Sequence, residues 1–320
     1  MALESASTRI TYKPWGSHDL RPWSQIDSRV SAVGELSFDR AKAHGFEPAL
    51  LLKILFAKEP LSIQVHPDDA YAKASGMANG KTEAWYVLSA QPGAQVGIGL
   101  KRSVTEDELR DAIGNGSISD LVQWRDAARG DVFFVPAGTI HAIGAGLVIA
   151  EIQQRSDTTF RLLDPSNGRE LHIEEAIATA DREPTKSDVS GMRLTAARTQ
   201  LISCDFFVLE RVELLAKSQW ALKAEPETWL LVADGDATIG AIPAAVGDAF
   251  FVEADQAVIE AGSAGLTVLL AYAASLAEPN LLRELTAQDI EIAASRELSE
   301  LPDLAQKSAD RPFRPLEGHL

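Results

Sequence analysis

The pattern of apolar and polar residues predicts β-strands along most of the chain. In residues 61–66 the two types alternate, so Ser62, Gln64 and His66 point to one face of a strand, while the apolar residues between them form the other. A strand with one polar and one fully apolar face is typical of a barrel wall around a wet interior. Glu83 opens the next apolar segment, EAWYVLS, and we expect it to lie near His66.

A second group of polar residues follows strands further along the chain. Residues 132–135 form a short apolar strand between two turn signals, and His141 comes soon after the second turn. Residues 147–154 and 159–163 are predicted to be strands of one hairpin. Glu151 and Arg161 interrupt its apolar faces, so they form either a buried ion pair or part of a catalytic site. Lys53 interrupts another apolar run, and its ammonium either reaches solvent or faces a phosphate.

Helical segments are few. Residues 103–127 form a predicted helical insertion outside the barrel: Thr105 and Glu108 form a capping box, Gly114 and Gly116 end the first helix, and SISDLVQW is predicted to be a second helix. A further helix is predicted near residues 281–294, and the last twenty residues are expected to be poorly ordered.

The second half of the chain repeats part of the first. GDAFFV at Gly247 repeats GDVFFV at Gly130, which predicts a second jelly-roll barrel over residues 197–275. Glu253 takes the place of Pro136, and no histidine occurs between residues 172 and 319, so this barrel is expected to bind no metal. The predicted fold is therefore mainly β, with a barrel in residues 1–190, a degenerate barrel in residues 197–275 and a tail in residues 276–320. The first barrel is predicted to be metal-binding and catalytic, because it carries Gln64, His66, Glu83 and His141, which together could form a metal site.

Composition and charge narrow the function classes. The 320-residue chain carries a formal net charge of −16, which argues against nucleic acid and anionic membranes as partners, and a bound anion would need a local basic cluster. No apolar run is long enough to span a bilayer, and the first residues lack a signal-peptide pattern. Cys204 is the only cysteine, which fits a reducing cytoplasm. The sequence leaves the oligomeric state open.

Four motifs in order carry a family resemblance: QVHPDD, GKTEAWYVL, VPAGTIHAIG and EIQQRSDTTFRLLD. Together they resemble the cupin-type (type I) mannose-6-phosphate isomerases in their shorter bacterial form, over about residues 10–275. The spacing of glycine, proline, glycine and histidine in residues 130–141 resembles the second metal motif of cupins. The resemblance implies one Zn²⁺ per chain, with four ligands: Gln64, His66, Glu83 and His141.

The resemblance also implies an activity. Mannose 6-phosphate and fructose 6-phosphate would interconvert by proton transfer through a cis-enediol. Arg161 would stabilise charge or contact the phosphate, Glu151 would carry the proton, and a cluster of Lys53, Ser62 and Lys81 would bind the phosphorylated hexose. Two other classes stay open at this point: an iron-dependent cupin oxygenase, and a non-catalytic protein that binds sugar phosphates on the same fold.

Overall fold

Strands dominate the structure, a computed structural model that describes residues 3–41, 47–166, 168–185 and 189–289. The chain divides into two units, Met1–Arg283 and Glu284–Leu320. The strands of the first half are β1 (Glu4–Ser5), β2 (Ser7–Ser17), β3 (Val33–Asp39), β4 (Leu50–Ala57), β5 (Ile63–Val65), β6 (Glu83–Ala90), β7 (Gln95–Leu100), β8 (Val122–Asp126), β9 (Val132–Val135), β10 (His141–Ile143), β11 (Leu147–Gln154) and β12 (Phe160–Leu163).

The later strands are β13 (Met192–Arg193), β14 (Arg198–Ser203), β15 (Val208–Leu214), β16 (Gln219–Ala224), β17 (Thr228–Ile239), β18 (Ile242–Ala245), β19 (Ala249–Val252), β20 (Asp255–Tyr272) and β21 (Leu282–Glu284). Short helices lie between the strands: α1 (Asp69–Ala74), α2 (Glu106–Asn115), α3 (Ile118–Leu121) and α4 (Ile173–Thr179). Among the described residues, no helix is both long and apolar enough to cross a bilayer.

Two antiparallel sheets make the first barrel. One has the strand order β2-β3-β4-β11-β6-β9, and the other has the order β12-β5-β10-β7-β8. Trp85 and Ile149 of the first sheet share a buried apolar cluster with Val96 and Ile98 of the second. Alternate residues of each strand therefore point into the space between the two sheets, as the alternating pattern predicts.

The second barrel is built on a separate sheet. Its main path is β1-β19-β17-β20-β15-β14-β13, and its own core includes Leu230, Phe250 and Ile259. A further cluster joins the outer face of β4 and β11 to this sheet, with Leu52 packed in the same cluster as Trp229. The two barrels therefore pack through apolar side chains.

The internal repeat has a structural counterpart. Gly130 and Gly247 have the same positive φ of 91°, a region that favours glycine. Each glycine N–H donates to a valine carbonyl of a neighbouring strand, to Val87 at 2.8 Å and to Val232 at 2.9 Å. The repeat predicted from GDVFFV and GDAFFV is therefore confirmed locally, whereas the predicted domain limits stay a prediction.

The helical insertion follows its capping signals at the start and departs from prediction at its end. Thr105 and Glu108 form the predicted capping box of α2, and Gly116 ends the helix at a φ of 82°. The prediction of a second helix is right for Ile118–Leu121 but wrong for residues 122–124, which begin β8 because they pair with β7.

One further prediction of secondary structure is wrong, and another is only partly right. Residues 147–154 and 159–163 do not form a hairpin, because β11 pairs with β4 and β6, whereas β12 pairs with β5 in the other sheet. The helix predicted near residues 281–294 is wrong for Leu282–Glu284, which form strand β21, and right for residues 287–289, which are helical. The part of that segment from residue 290 onward, and the last twenty residues, lie outside the described residues.

Candidate metal centre and active-site cavity

Strand register brings the first set of predicted site residues into one row. Gln64 of β5 lies opposite His141 of β10 on one side and opposite Arg161 of β12 on the other. Residues directly opposite one another in antiparallel strands share a face, so these three side chains point into the barrel together. The row explains why residues far apart in sequence meet at one wall.

The facing sheet supplies a second row. Glu151 of β11 lies opposite Lys53 of β4 and opposite Trp85 of β6. Glu83 precedes Trp85 by two residues and therefore shares its face. The carboxylates of Glu151 and Glu83 thus enter the barrel from the sheet opposite Gln64.

His66, Glu83 and His141 form a candidate metal-binding triad. Their ligand atoms lie within 4.8 Å of one another, and all three residues are buried. Glu83 Oε1 lies 3.3 Å from His66 Nε2, and Glu83 Oε2 lies 3.9 Å from His141 Nε2. Two imidazoles and one carboxylate around one point are a typical ligand set for zinc and related divalent ions.

Both imidazoles are oriented by backbone carbonyls. His66 Nδ1 donates to Thr158 O and His141 Nδ1 donates to Thr139 O, each at 2.8 Å. With Nδ1 protonated, the lone pair of each Nε2 points toward Glu83. Burial lowers the pKa of His66 to about 3 and also lowers the pKa of His141, so both rings are neutral at neutral pH, as metal ligands must be.

The carboxylate of Glu83 is arranged to face a cation. Its Oε1 is buried without a well-aligned hydrogen bond, and the Lys81 ammonium lies 2.5 Å from that oxygen and 3.2 Å from His66 Nε2. Burial, the largest single effect, raises the pKa of Glu83, but Lys81 and the two histidines together hold it well below its usual range. The residues present therefore fit a divalent cation at this point.

Gln64, the fourth predicted ligand, lies beside the triad. Its Nε2 is 3.2 Å from His141 Nε2, and its Oε1 accepts from the Ser62 hydroxyl at 3.0 Å. The amide oxygen, which is the atom able to ligate a metal, would face His141 only after the amide turns over. Its role as a ligand stays a prediction.

Glu151 occupies an enclosed and crowded position. The Trp85 indole N–H donates to Glu83 Oε2 and to Glu151 Oε2, both at 3.1 Å, and so links the two carboxylates. Burial, followed by the charge of Glu83, raises the pKa of Glu151 to about 7. Lys53 Nζ lies 3.8 Å from Glu151 Oε1, so the ammonium predicted to face a phosphate is directed at a carboxylate.

The Lys53 ammonium has two more acidic neighbours besides Glu151. Its Nζ lies 3.8 Å from the carboxylate of Glu35 and 3.6 Å from that of Asp157. Glu35 also forms an ion pair with Lys13, at 3.3 Å. A buried ammonium is stabilised by such neighbours. The positive charge of Lys53 is therefore already paired with carboxylates.

The guanidinium of Arg161 differs from these groups because it forms few hydrogen bonds. Its Nε is buried without a partner, and Nη1 donates to Glu170 O at a long 3.3 Å. Burial, and then the nearby charge of Arg169, lowers the pKa of Arg161. The alternative interpretation, an ion pair between Glu151 and Arg161, is not borne out: Arg161 donates to a backbone carbonyl, while Glu151 accepts from Trp85 of its own sheet.

A cavity of about 390 Å³ lies beside the triad, whose own three residues do not line it. Of the predicted residues, it is lined by Lys53, Ser62, Gln64, Lys81, Glu151 and Arg161. The sequence analysis missed several polar residues that also line it: Arg9, Lys13, Glu35, Arg169 and His172. For the first two, the alternation in RITYK at residues 9–13 was an available signal.

Several proteins of known name are similar to this chain. A mannose-6-phosphate isomerase of Streptococcus mutans is 40% identical over 177 residues, which is 52% of this chain and 54% of the relative. The mannose-6-phosphate isomerase ManA of Bacillus subtilis is 39% identical over 168 residues, 49% of this chain and 53% of the relative. The chain thus spans about half the length of the curated relatives it matches. No protein-family profile matches it.

Solved structures share the fold. A crystal structure of the mannose 6-phosphate isomerase from Bacillus subtilis superposes with a TM-score of 0.74 and 24% identity, covering 85% of this chain and all of that one. The apo form of the Salmonella typhimurium enzyme gives a TM-score of 0.68 at 16% identity, covering 86% and 100%. The mainly β fold of two cupin barrels, predicted from the sequence, is confirmed, and the chain shares this fold with mannose-6-phosphate isomerases.

Proposed function

We propose that this chain is a zinc-dependent aldose–ketose isomerase that interconverts mannose 6-phosphate and fructose 6-phosphate. The observation that carries the proposal is the buried triad of His66, Glu83 and His141. The triad contacts Gln64 and Lys81, which line the cavity together with Glu151. The sequence similarity to mannose-6-phosphate isomerases supports the same substrate class.

The triad, with Gln64 beside it, would hold the zinc ion through two imidazole nitrogens, a carboxylate and an amide oxygen. A bound zinc ion supplies Lewis acidity toward the carbonyl oxygen of an open-chain sugar. The carbonyls of Thr158 and Thr139 keep both imidazoles in the tautomer that leaves Nε2 free.

The remaining side chains divide the other tasks. Glu151, enclosed in the cavity wall, would take a proton from one sugar carbon and return it to the next, which converts the aldose to the ketose through a cis-enediol. Arg161 would stabilise the negative oxygen that develops as the proton leaves. The predicted contacts of the phosphate are still Lys53, Ser62 and Lys81. Both ammonium groups already contact carboxylates, so the phosphate would share them with Glu151 and Glu83.

Turnover and metal content test the proposal together. We expect mannose 6-phosphate to be converted to fructose 6-phosphate, one equivalent of zinc per chain, and loss of turnover on treatment with a chelator followed by recovery with zinc. One equivalent also tests the prediction that the barrel over residues 197–275 binds no metal. Oxygen consumption with iron would support a cupin oxygenase instead, and sugar-phosphate binding without turnover would support a binding protein. Either result would contradict the proposal.

A further inference from the structure

A second glutamate–tryptophan pair occurs in the second barrel. TEAW, which contains Glu83 and Trp85, is echoed by PETW, which contains Glu227 and Trp229. Each indole N–H donates to the glutamate two residues earlier, at 3.1 Å in the first pair and 3.2 Å in the second. The motif and its internal hydrogen bond are therefore repeated, although the second barrel has no histidine beside it.

The tryptophan of the second pair lies on the opposite face of its strand from that of the first pair. Trp85 lies opposite Phe133, the third residue after the glycine of GDVFFV, whereas Trp229 lies opposite Phe251, the fourth residue after the glycine of GDAFFV. A shift of one residue moves a side chain to the other face of a strand. Trp85 accordingly packs inside the first barrel, and Trp229 packs in the apolar cluster between the two barrels.

Glu227 consequently reaches the first barrel. Its Oε2 accepts from Ala49 N at 2.6 Å and its Oε1 accepts from Leu50 N at 2.8 Å, at the beginning of β4. Glu227 is buried, and burial raises the pKa of this carboxyl. A buried carboxylate that accepts two successive backbone N–H groups stabilises the position of that backbone, because these bonds are charge-assisted and a buried N–H without an acceptor is costly.

The start of β4 in turn holds the loop between β11 and β12. Arg155 N donates to Ala49 O at 2.9 Å, and its guanidinium donates to Pro48 O at 2.6 Å and to Leu50 O at 3.1 Å. Three residues later, Thr158 O accepts the Nδ1 hydrogen of His66. Glu227 is therefore linked to His66 of the triad through one strand end and one short loop.

We propose that Glu227, on the barrel that lacks histidine ligands, is a positioning residue for the metal triad of the other barrel. Its carboxylate holds the beginning of β4, β4 holds Arg155, and the loop of Arg155 places the carbonyl that orients His66. The inference rests on the proposed metal site, not on the identity of the substrate. It gives the second barrel a part in the chemistry of the first.

Glu227→Gln tests this inference in the full-length chain. The glutamine keeps one acceptor oxygen but turns an NH₂ group toward one of the two backbone N–H groups, so one hydrogen bond is lost while volume is conserved. We expect the dissociation constant for Zn²⁺, measured by competition with a chromophoric chelator, to rise about tenfold, the lower end of the usual effect of outer ligand partners. Amide hydrogen exchange of residues 155–159 should also become faster in the metal-free protein.

Tyr272→Phe is the matched control. This buried hydroxyl donates to Glu210 and accepts from Glu278 N within the second barrel, so its loss removes a buried hydrogen bond away from the first barrel. We expect the control to melt at a lower temperature with the parental zinc affinity and parental exchange at residues 155–159.

Two results would overturn the inference. Parental zinc affinity and parental exchange in Glu227→Gln would mean that Glu227 only holds the barrels together. If that variant does not fold, Arg155→Lys decides, because it keeps the charge but loses the forked bonds to the β4 backbone; parental zinc affinity there would break the proposed link. If the parent protein itself binds no zinc, the proposed function fails instead, which is a distinguishable result.

Discussion

Replacing Arg161 by alanine should separate catalysis from stability. The guanidinium lines the cavity. Among the residues that the structure describes, its Nε has no partner, and its one hydrogen bond, to Glu170 O, is 3.3 Å long. The lowered pKa of Arg161 means that burial disfavours its charged form in the folded state. The charge therefore costs folding free energy, and its removal should leave the melting temperature unchanged or slightly higher.

The kinetic effect should be much larger than the effect on stability. An unpaired and partly desolvated guanidinium can direct its charge at an oxygen that becomes negative only in the transition state, and loss of one such donor typically costs about 2.7–4 kcal/mol. Arg161→Ala should thus lower kcat on the order of 10² to 10³-fold with a small change in KM. Steady-state assays in both directions, with zinc content and melting curves on the same samples, measure all of these quantities.

Arg161→Lys is the matched variant, because it keeps the charge and loses the planar fork. We expect it to recover only part of kcat, since one ammonium cannot reproduce the geometry of a guanidinium. A steep rise in KM with unchanged kcat in Arg161→Ala would mean that the residue binds the phosphate in the ground state. A large loss of folded protein would mean that Arg161 has a structural partner and that the argument from its missing bonds is wrong.

Three further variants test other parts of the structure. His141→Ala should lose zinc and turnover together while the fold persists; a full equivalent of zinc with near-normal turnover would contradict the triad. Glu210→Gln breaks the buried fork that Arg198 makes at 2.7 and 2.8 Å, so unfolding by denaturant should show a loss of about 3–5 kcal/mol, and a loss below 1 kcal/mol would contradict it. Arg169 holds the pKa of Asp164 well below its usual range, so this carboxylate contributes stability above about pH 4 that is lost as the pH falls. Asp164→Asn should lower stability at pH 7 by about 1.5 kcal/mol and flatten the acid side of the stability profile, and an unchanged profile would rule the contribution out.

All three residues of the candidate triad were singled out from the sequence, because the strands and turns around them carry strong local signals. Alternation placed His66 on a polar face, and the glycine and proline turns around β9 located His141. Gly138, with a φ of 86°, donates its N–H to His66 O at 2.8 Å, so one predicted turn fixes both histidines. Local pattern and tertiary structure agree at these positions.

The errors arose where partner choice depends on the whole fold. β11 and β12 are adjacent in sequence and separated by a short turn, which is typical of a hairpin, but each pairs with strands from elsewhere in the chain. The acidic neighbours of Lys53 also could not be predicted from the residues around it in sequence. Glu35, Glu151 and Asp157 belong to three other segments of the chain. Glu227 was missed for a different reason: its motif repeats that of Glu83, but only strand register shows which face it occupies.

The pairing of β1 with the distant strand β19 affects how the chain folds during its synthesis. Glu4 pairs with Phe251 and Ser5 with Phe250, so β1 is translated before the first barrel, whereas the other strands of its sheet are translated after that barrel. The emerging chain must keep this strand unpaired while the first barrel forms directly behind it. A fragment that begins with β13 would keep the rest of this sheet but leave the edge of β19 uncovered and open to self-association. A peptide that carries β1, added to such a fragment, should cover that edge and keep the fragment monomeric.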